Sequence, residues 1–222
     1  MKFKFLKVTI VTLFTGLIAI GSANASLIPF QIEMVADNDF ALFSGNSTGI
    51  NNLLYQNNVG WSDQIGNLSS LSFTLAAGDN KFYVLGMGGG GQEDISGLVN
   101  GVNMTSVSVS MSSNLASYLS GYNASAVAAG TYNASLADVQ NAFSNVSWSD
   151  AASHINTTQT VIQSAGFGSG FAFSDLNAHL FSFDAVDVGV QVSAASVPEP
   201  STLAILGLGL MGLASRRFKK QA

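Results

Sequence analysis

The chain has 222 residues, 47% of them hydrophobic and only 9% charged, and its lack of cysteine excludes a disulfide scaffold and thiol chemistry. Residues 33–199 hold all 13 acidic residues and one basic residue, Lys81, which gives this stretch a formal charge of −12. Because nucleic-acid binding needs clustered cations, this charge excludes a nucleic-acid partner.

The N-terminal segment has the pattern of a cleavable export signal. Lysines at its start precede an apolar run over residues 8–20, and Ala23 and Ala25 form the small-x-small pattern after which signal peptidase cuts. The apolar run is shorter than the roughly 20 residues of a membrane-spanning helix. We therefore predict a signal peptide over residues 1–25, with cleavage before Ser26.

The first half of the body, which we take as residues 26–195, shows the alternation of apolar and polar residues that is typical of strands. This pattern predicts strands at residues 31–36, 40–44, 71–75, 81–85 and 105–111. The polar residues 37–39 form a corner between the first two strands, and residues 46–58 are predicted as a loop. Residues 77–80 are predicted as a hairpin turn.

From residue 112 the period changes to that of helices. Ser135 can cap a helix whose apolar stripe continues to Val146, and we predict a helical insertion at about 112–166. Strand character returns at Phe171, and four alternating valines over residues 186–192 predict a last strand. The predicted fold class is mainly β: a jelly-roll-like β-sandwich with a helical insertion.

The C-terminal residues combine three signals in a fixed order. Pro198, Glu199 and Pro200 precede an apolar run of 12 residues at 203–214, and a basic cluster follows at 216–220. The prolines prevent an earlier helix start, and the basic cluster favours the cytoplasmic side, which leaves the body outside. We predict a short transmembrane helix at about 201–215.

This tail, residues 196–222, resembles the PEP-CTERM sorting domain, also catalogued as the ice-binding protein C-terminal domain. The resemblance implies a substrate of exosortase, a membrane enzyme that cuts near Pro-Glu-Pro and releases the protein outward. It also implies a transient stay in the inner membrane of a Gram-negative bacterium that makes extracellular polysaccharide, and then the cell surface or extracellular matrix. An ordinary C-terminal anchor is the alternative. No T-x-T array typical of ice binding occurs.

Residues 30–111 resemble galactose-binding-like jelly-roll domains through short motifs in the same order. These are Ala-Asp-Asn at 36–38, Trp61, the L-x-x-G-x-N turn at 75–80 and the glycines at 88–91. The resemblance implies a sandwich with a sugar site. The helical insertion departs from it, as does a Ser-Gly-Asn where such domains usually carry Asn-Gly.

The glycine-rich segment at 86–91 satisfies G-x-G-x-x-G, but it lacks the context of a dinucleotide site. A helix would have to open after the third glycine and an acidic residue should follow about 20 positions later, whereas Glu93 and Asp94 follow directly and the next acid is Asp138. Two hypotheses remain for this segment. It is either a tight connection in which glycines supply positive φ, or a ligand loop whose carboxylates accept hydrogen bonds from a sugar.

Five residues are candidate ligand contacts: Asp37, Asp39, Trp61, Glu93 and Asp94. Trp61 is a candidate for stacking on a sugar ring. The four acids are candidate Ca²⁺ ligands, because Ca²⁺ takes six to eight oxygens, although no EF-hand spacing supports them. No other cofactor or metal is predicted.

The sequence offers little for catalysis. The two histidines have no zinc-ligand spacing, no G-x-S-x-G marks a serine nucleophile, and paired carboxylates such as Glu33 and Glu93 are unconstrained in separation. We predict no catalytic residue and no enzyme, and seven N-x-S/T sequons are interpreted as a result of the Asn-rich and Ser-rich composition.

The predicted role is structural or adhesive, in association with extracellular polysaccharide. The alternatives are a carbohydrate-binding module with a pocket near Trp61 and residues 86–94, and a secreted glycan hydrolase.

Overall fold

The computed structural model describes residues 29–66, 71–91, 93–174 and 176–192. The predicted signal peptide with Ala23, Ala25 and Ser26, the sorting residues Pro198, Glu199 and Pro200, and the predicted transmembrane helix lie outside these residues. The strands are β1 (Phe30–Asp37), β2 (Asp39–Asn46), β3 (Gly49–Asn57), β4 (Leu71–Phe73), β5 (Lys81–Met87), β6 (Glu93–Val99), β7 (Val102–Asn103), β8 (Ser110–Ser112), β9 (Trp148–Asp150), β10 (Ile155–Asn156), β11 (Gly170–Phe173) and β12 (Ala178–Asp184). The α-helices are α1 (Trp61–Gly66), α2 (Ala124–Ala128), α3 (Leu136–Phe143) and α4 (Thr160–Ala165).

The strands form two antiparallel sheets. Sheet A has the order β10-β11-β6-β1-β4, with β7 also paired to β6, and sheet B has the order β3-β2-β5-β12-β8-β9. The chain passes from sheet A to sheet B at Asn38, between β1 and β2. The main hydrophobic core lies between the sheets, because alternate residues of β1 and β2 point to the same cluster. The predicted mainly β fold is confirmed.

Helical segments cover the outer faces of both sheets. Residues 113–147, which we call the helical layer, contain α2 and α3 and bury a second cluster against sheet B. Ser135 caps α3 by accepting a hydrogen bond from the Asp138 backbone N–H, as its sequence pattern predicts. A third, small cluster joins α4 to Val35 of sheet A. The helical insertion is confirmed, although β9 and β10 lie within its predicted range.

All described residues belong to one compact unit, Ser26–Ala194. It contains its own hydrophobic clusters, as an independently folding domain requires. In the described part of the chain no helix is long and apolar enough to cross a membrane.

Two local predictions in the first half were wrong. The predicted loop at 46–58 contains β3, an edge strand whose alternation is hidden by register shifts in its pairing with β2. The predicted hairpin around residues 77–80 does not exist, because β4 pairs with β1 in sheet A whereas β5 pairs with β2 and β12 in sheet B. The turn therefore connects two sheets.

Two further strand predictions, at 105–111 and at 186–192, were wrong. Residues Met104–Ser106 form a 3₁₀ turn, so that the predicted strand at 105–111 is reduced to the short β8. The valine pattern at 186–192 begins in a 3₁₀ helix, Ala185–Val188, that ends at Gly189 with φ of 72°. The central strand in this region is β12, which the sequence did not reveal because it is buried on both faces and shows little alternation.

Candidate functional site

The candidate acids lie around the corner where the chain changes sheets. Asn38 at this corner donates its backbone N–H to the Met87 carbonyl, and its side-chain Nδ2 donates to Asp37 Oδ1 at 2.7 Å. Gln64 of α1 fixes the corner from outside: its Oε1 accepts from the Ala36 N–H at 2.9 Å, and its Nε2 donates to the Asn38 carbonyl. No signal in the sequence pointed to Gln64.

Asp37 and Asp94 are direct neighbours. They lie opposite each other in the β1–β6 pairing and therefore point to the same face of sheet A, away from the main core. Burial raises the pKa of Asp37 to about 6. Burial, and then the charge of Asp37, raise the pKa of Asp94 to about 7. This pair is the one place where the structure brings two of the candidate acids together.

Asp39 points in another direction. It alternates with Ala41 and Phe43 along β2 and lies opposite Met87, and these three residues belong to the cluster under the helical layer. The side chain is 0% exposed, and neither carboxyl oxygen has a hydrogen-bond partner. Burial alone raises its pKa to about 7.

Glu93 lies between the two sheets. It is opposite Phe173, a residue of the main core, and it is only 1% exposed. Its Oε1 accepts a hydrogen bond from the Gly90 N–H at 2.7 Å. A Cβ on Gly88 would lie only 2.8 Å from the Glu93 carboxyl carbon, so the glycine loop closes directly over this side chain.

The glycine loop behaves as a tight connection. Gly90 and Gly91 have φ of 120° and 112°, values that favour glycine. A Cβ on Gly89 would lie 2.0 Å from Asn38 Oδ1 and 2.8 Å from the backbone nitrogen of Ala128. The strand β6 follows the loop, where a dinucleotide site would require a helix. Since Glu93 and Asp94 are each 1% exposed, neither loop carboxyl is available to a sugar.

The four acids therefore do not converge on one centre. Strand alternation directs Asp37 and Asp94 outward from sheet A, Glu93 into the core and Asp39 outward from sheet B. Among the residues that the structure describes, no group of three or more His, Asp or Glu side chains could hold a metal ion. The calcium hypothesis thus has no coordination geometry in this part of the chain.

The pair Glu33 and Glu93 has no hydrolase geometry. Glu33 lies opposite Leu98, five residues along β6 from Glu93, which corresponds to about 17 Å at about 3.4 Å per residue. The two side chains also point to opposite faces of sheet A. Paired carboxyls of glycoside hydrolases lie roughly 5–10 Å apart.

The described residues line a cleft of about 280 Å³. Its walls come from α1 and from residues of β1, β2, β3 and β4. The cleft is lined by Ile32, Met34, Phe40, Leu42, Tyr55, Asn57, Val59, Asp63, Gln64 and Leu71. None of these residues belongs to the glycine loop, so the structure does not join residues 86–94 and the α1 region into one pocket. Sequence reasoning missed Tyr55 and Asn57 because it assigned β3 to a loop.

Trp61 is the first residue of α1, but the placement of its side chain is not described. Tyr83, a second aromatic residue that could in principle stack on a sugar, is 2% exposed and donates its hydroxyl to the Asn46 carbonyl at 2.7 Å. It is a core residue.

Several sequon asparagines have a structural role. Their side-chain Oδ1 atoms accept the backbone N–H two residues later, a local turn that Asn favours. This contact is 2.7–2.9 Å long at Asn46, Asn103, Asn123 and Asn156. At Asn46, Asn103 and Asn156 the same Oδ1 also accepts the hydroxyl of the threonine two residues later, which is a physical reason for the Asn-x-Thr spacing at these three sites.

Comparison with known proteins gives one match. Residues 196–220 match the PEP-CTERM protein-sorting motif. No curated protein and no solved structure has a significant match to the chain. The chain therefore carries a sorting signal of known type on a body whose role has to be argued from its own structure.

Proposed function

We propose that this chain is a non-catalytic structural or adhesive protein of the extracellular matrix, which associates with extracellular polysaccharide through the sparsely charged surface of the helical layer. The PEP-CTERM motif at residues 196–220 implies an exported protein that exosortase processes and that is sorted to the cell surface. The role of the body is the part that this proposal adds. It is supported by the distribution of charge over the described residues.

The observation that carries the proposal is the low charge of the helical layer, in which Asp138 is the one charged residue. From residue 95 to residue 137 the sequence contains no charged residue. The exposed positions of the layer are instead occupied mostly by amides and hydroxyls; examples are Asn114, Asn123, Ser125, Thr131, Asn133, Asn141 and Asn145. Such groups donate and accept hydrogen bonds with sugar hydroxyls without the desolvation cost of a charge.

The acidic composition does not oppose this role as strongly as the formal charge suggests. Asp39, Glu93 and Asp94 are buried, and burial raises the pKa of Asp39 and of Asp94 to about 7. Repulsion of an anionic polysaccharide by the layer is correspondingly weak, because the buried acids lie beneath or away from its surface.

A dedicated sugar pocket has less support. The candidate loop acids Glu93 and Asp94 are buried, and the walls of the cleft are largely apolar. For a secreted hydrolase, no pair of accessible carboxyls lies at a suitable separation among those considered above.

The test is affinity electrophoresis of Ser26–Ala194 in gels that contain the host's extracellular polysaccharide, with and without calcium. We expect calcium-independent retardation. Retardation only with calcium would indicate ionic bridging by acidic groups, and no retardation in either gel would contradict the proposal.

A pair of matched variants locates the contact. Ser125→Asp places a carboxylate in the first turn of α2 on the helical layer, and Thr160→Asp places one in the first turn of α4 near sheet A. Both positions are exposed, and an acid is tolerated in the first turn of a helix. We expect Ser125→Asp to reduce the retardation and Thr160→Asp to leave it unchanged. Equal effects of the two variants would exclude the helical layer as the contact surface.

A further inference from the structure

Three aromatic rings meet at the border of the helical layer. Trp148 is the first residue of β9, the strand at the edge of sheet B, and it directly follows the layer in sequence. The ring centroids of Tyr83, Phe143 and Trp148 are 5.6, 5.8 and 6.2 Å apart and form a nearly equilateral triangle. Tyr83 and Phe143 therefore support the indole from the same side. The opposite side of the indole has no aromatic neighbour among the described side chains.

The indole of Trp148 is partly open to solvent. The residue is half-buried, whereas its neighbour Tyr83 is 2% exposed. No described residue accepts a hydrogen bond from the Trp148 Nε1–H, and this nitrogen is not buried, so the donor faces solvent. Trp148 thus presents apolar ring surface and an unused donor at one place. Tryptophan uses this combination to bind ligands that are partly apolar and partly hydroxylated.

Neutral polar groups lie in the segment between α3 and β9 and in the last turn of α3. Asn141, Ser144 and Ser147 are exposed, and within the part of the chain that the structure describes their side chains donate and accept no hydrogen bond. Amides and hydroxyls can each donate to and accept from a sugar hydroxyl. A ligand on the indole can therefore use these groups without breaking a hydrogen bond of the protein.

One carboxylate lies beside the indole. Asp150 is two residues after Trp148 in β9, so both side chains lie on the same side of the strand, with about 7 Å between their Cα atoms. The Asp150 Oδ1 accepts the Ala152 N–H at 2.9 Å, which leaves Oδ2 for a ligand hydroxyl. A carboxylate at this position accepts hydrogen bonds from a neutral sugar and repels an acidic one.

We propose that Trp148 stacks on a neutral sugar ring of the polysaccharide, while the exposed polar groups around the indole bind the hydroxyls of this ring. The inference rests on the proposed function and deepens it, because it names one contact at the border of the helical layer and the class of sugar. The site is an open surface and not a pocket, which suits an internal ring of a long polysaccharide chain. No sequence signal pointed to Trp148, because only the fold brings Tyr83 beside it.

Electrophoresis in the polysaccharide gels compares two aromatic variants of Ser26–Ala194. Trp148→Leu keeps an apolar side chain against Tyr83 but removes the flat ring and its N–H, and it should weaken the retardation about tenfold. The control is Phe167→Leu, which changes a half-buried aromatic residue in the cluster beside α4 and should leave the retardation unchanged. Full retardation of the Trp148→Leu variant would overturn the inference and leave the proposed function standing. An equal loss in both variants would also overturn the inference.

An NMR titration of the unmodified body tests Trp148 without the polysaccharide, and it remains decisive if Trp148→Leu does not fold. The probes are three neutral hexasaccharides: cellohexaose, maltohexaose and laminarihexaose. At least one should shift the signals of the Trp148 Nε1–H and of the Asn141 side-chain amide, and the backbone signal of Phe167 should not move. Absence of a shift with all three would overturn the inference. A shift without any retardation in the gels would support the sugar site and contradict the polysaccharide role.

An acidic hexasaccharide, hexagalacturonate, tests the role of Asp150. It should shift the Trp148 Nε1–H signal less than the neutral probe that binds best, and Asp150→Asn should reduce this difference. The control is Asp187→Asn, which removes an exposed carboxylate outside β9 and should leave the difference unchanged. Equal binding of the acidic and neutral probes by the unmodified body would overturn the role of Asp150.

Discussion

Asp39 makes the stability of the body depend on pH in an unusual direction. Burial raises the pKa of this carboxyl from 3.8 to about 7, so the folded state holds a proton that the unfolded state has already released. The stability that the protonated Asp39 carboxyl provides is therefore fully present below about pH 4, and it is lost as the pH rises through the folded-state pKa of about 7. Since a tenfold change in proton affinity corresponds to about 1.4 kcal/mol, the loss is about 4 kcal/mol.

Asp39→Asn tests this reasoning, because the amide is almost isosteric with the carboxyl and cannot ionise. Relative to the unmodified body, the variant should gain about 4 kcal/mol in the free energy of unfolding between about pH 4 and about pH 8. The cost of burying the amide itself is independent of pH and cancels in this comparison. Both proteins would be unfolded in urea across this range and followed by circular dichroism.

The control is Asp187→Asn, which removes one exposed carboxylate and so accounts for the change in net charge. A difference between the Asp39→Asn variant and the unmodified body that is the same at both ends of the pH range would refute the reasoning. It would show that Asp39 is ionised in the folded state and has a compensating contact.

Three other variants probe local packing and one probes sorting. Gly89→Ala should destabilise the body by about 1–3 kcal/mol, because its Cβ would lie 2.8 Å from the Ala128 backbone nitrogen. The control is Gly49→Ala, whose Cβ would meet nothing within 4 Å, and equal urea midpoints of the two variants would contradict this prediction. Asp79→Ala should cost about 3 kcal/mol or more, since the carboxylate accepts three side-chain hydrogen bonds from β2 and β3, and a loss below about 1 kcal/mol would contradict that role. Ser135→Ala should cost about 1 kcal/mol through loss of the α3 cap, measured in the same way, and an unchanged midpoint would show that the cap does not stabilise the body. Alanine at residues 198–200 should leave the protein as an unprocessed membrane-bound precursor in cell fractions, and normal release would exclude these residues as the sorting signal.

Local signals in the sequence were reliable where the physical cause is local. The polar corner at 37–39 separates β1 from β2 as predicted, and Ser135 begins α3 because a side-chain oxygen three residues before an N–H can cap it. The PEP-CTERM motif at 196–220 is likewise a contiguous signal. Each of these features depends on residues that are neighbours along the chain.

Predictions failed where partners distant in sequence decide the outcome. The turn at 77–80 looks like a hairpin, but its two flanking strands pair with different sheets. The strand β12 is buried on both faces, between neighbouring strands and under the helical layer, so its apolar run carries no period that identifies it. The lining of the cleft comes from β1, β2, β3, β4 and α1, which no short sequence pattern brings together.

The candidate acids show the same difference between features that neighbouring residues determine and features that distant partners determine. The sequence by itself determined that the chain carries a sorting signal, that its body is acidic with an uncharged stretch from 95 to 137, and that acids flank a corner and a glycine loop. Only the tertiary structure decided that Asp37 and Asp94 are neighbours while Asp39 and Glu93 point away from them. The reason is that adjacent residues of a strand face opposite sides of a sheet, and the corner at Asn38 moves the chain to a second sheet, so closeness in sequence does not become convergence in space.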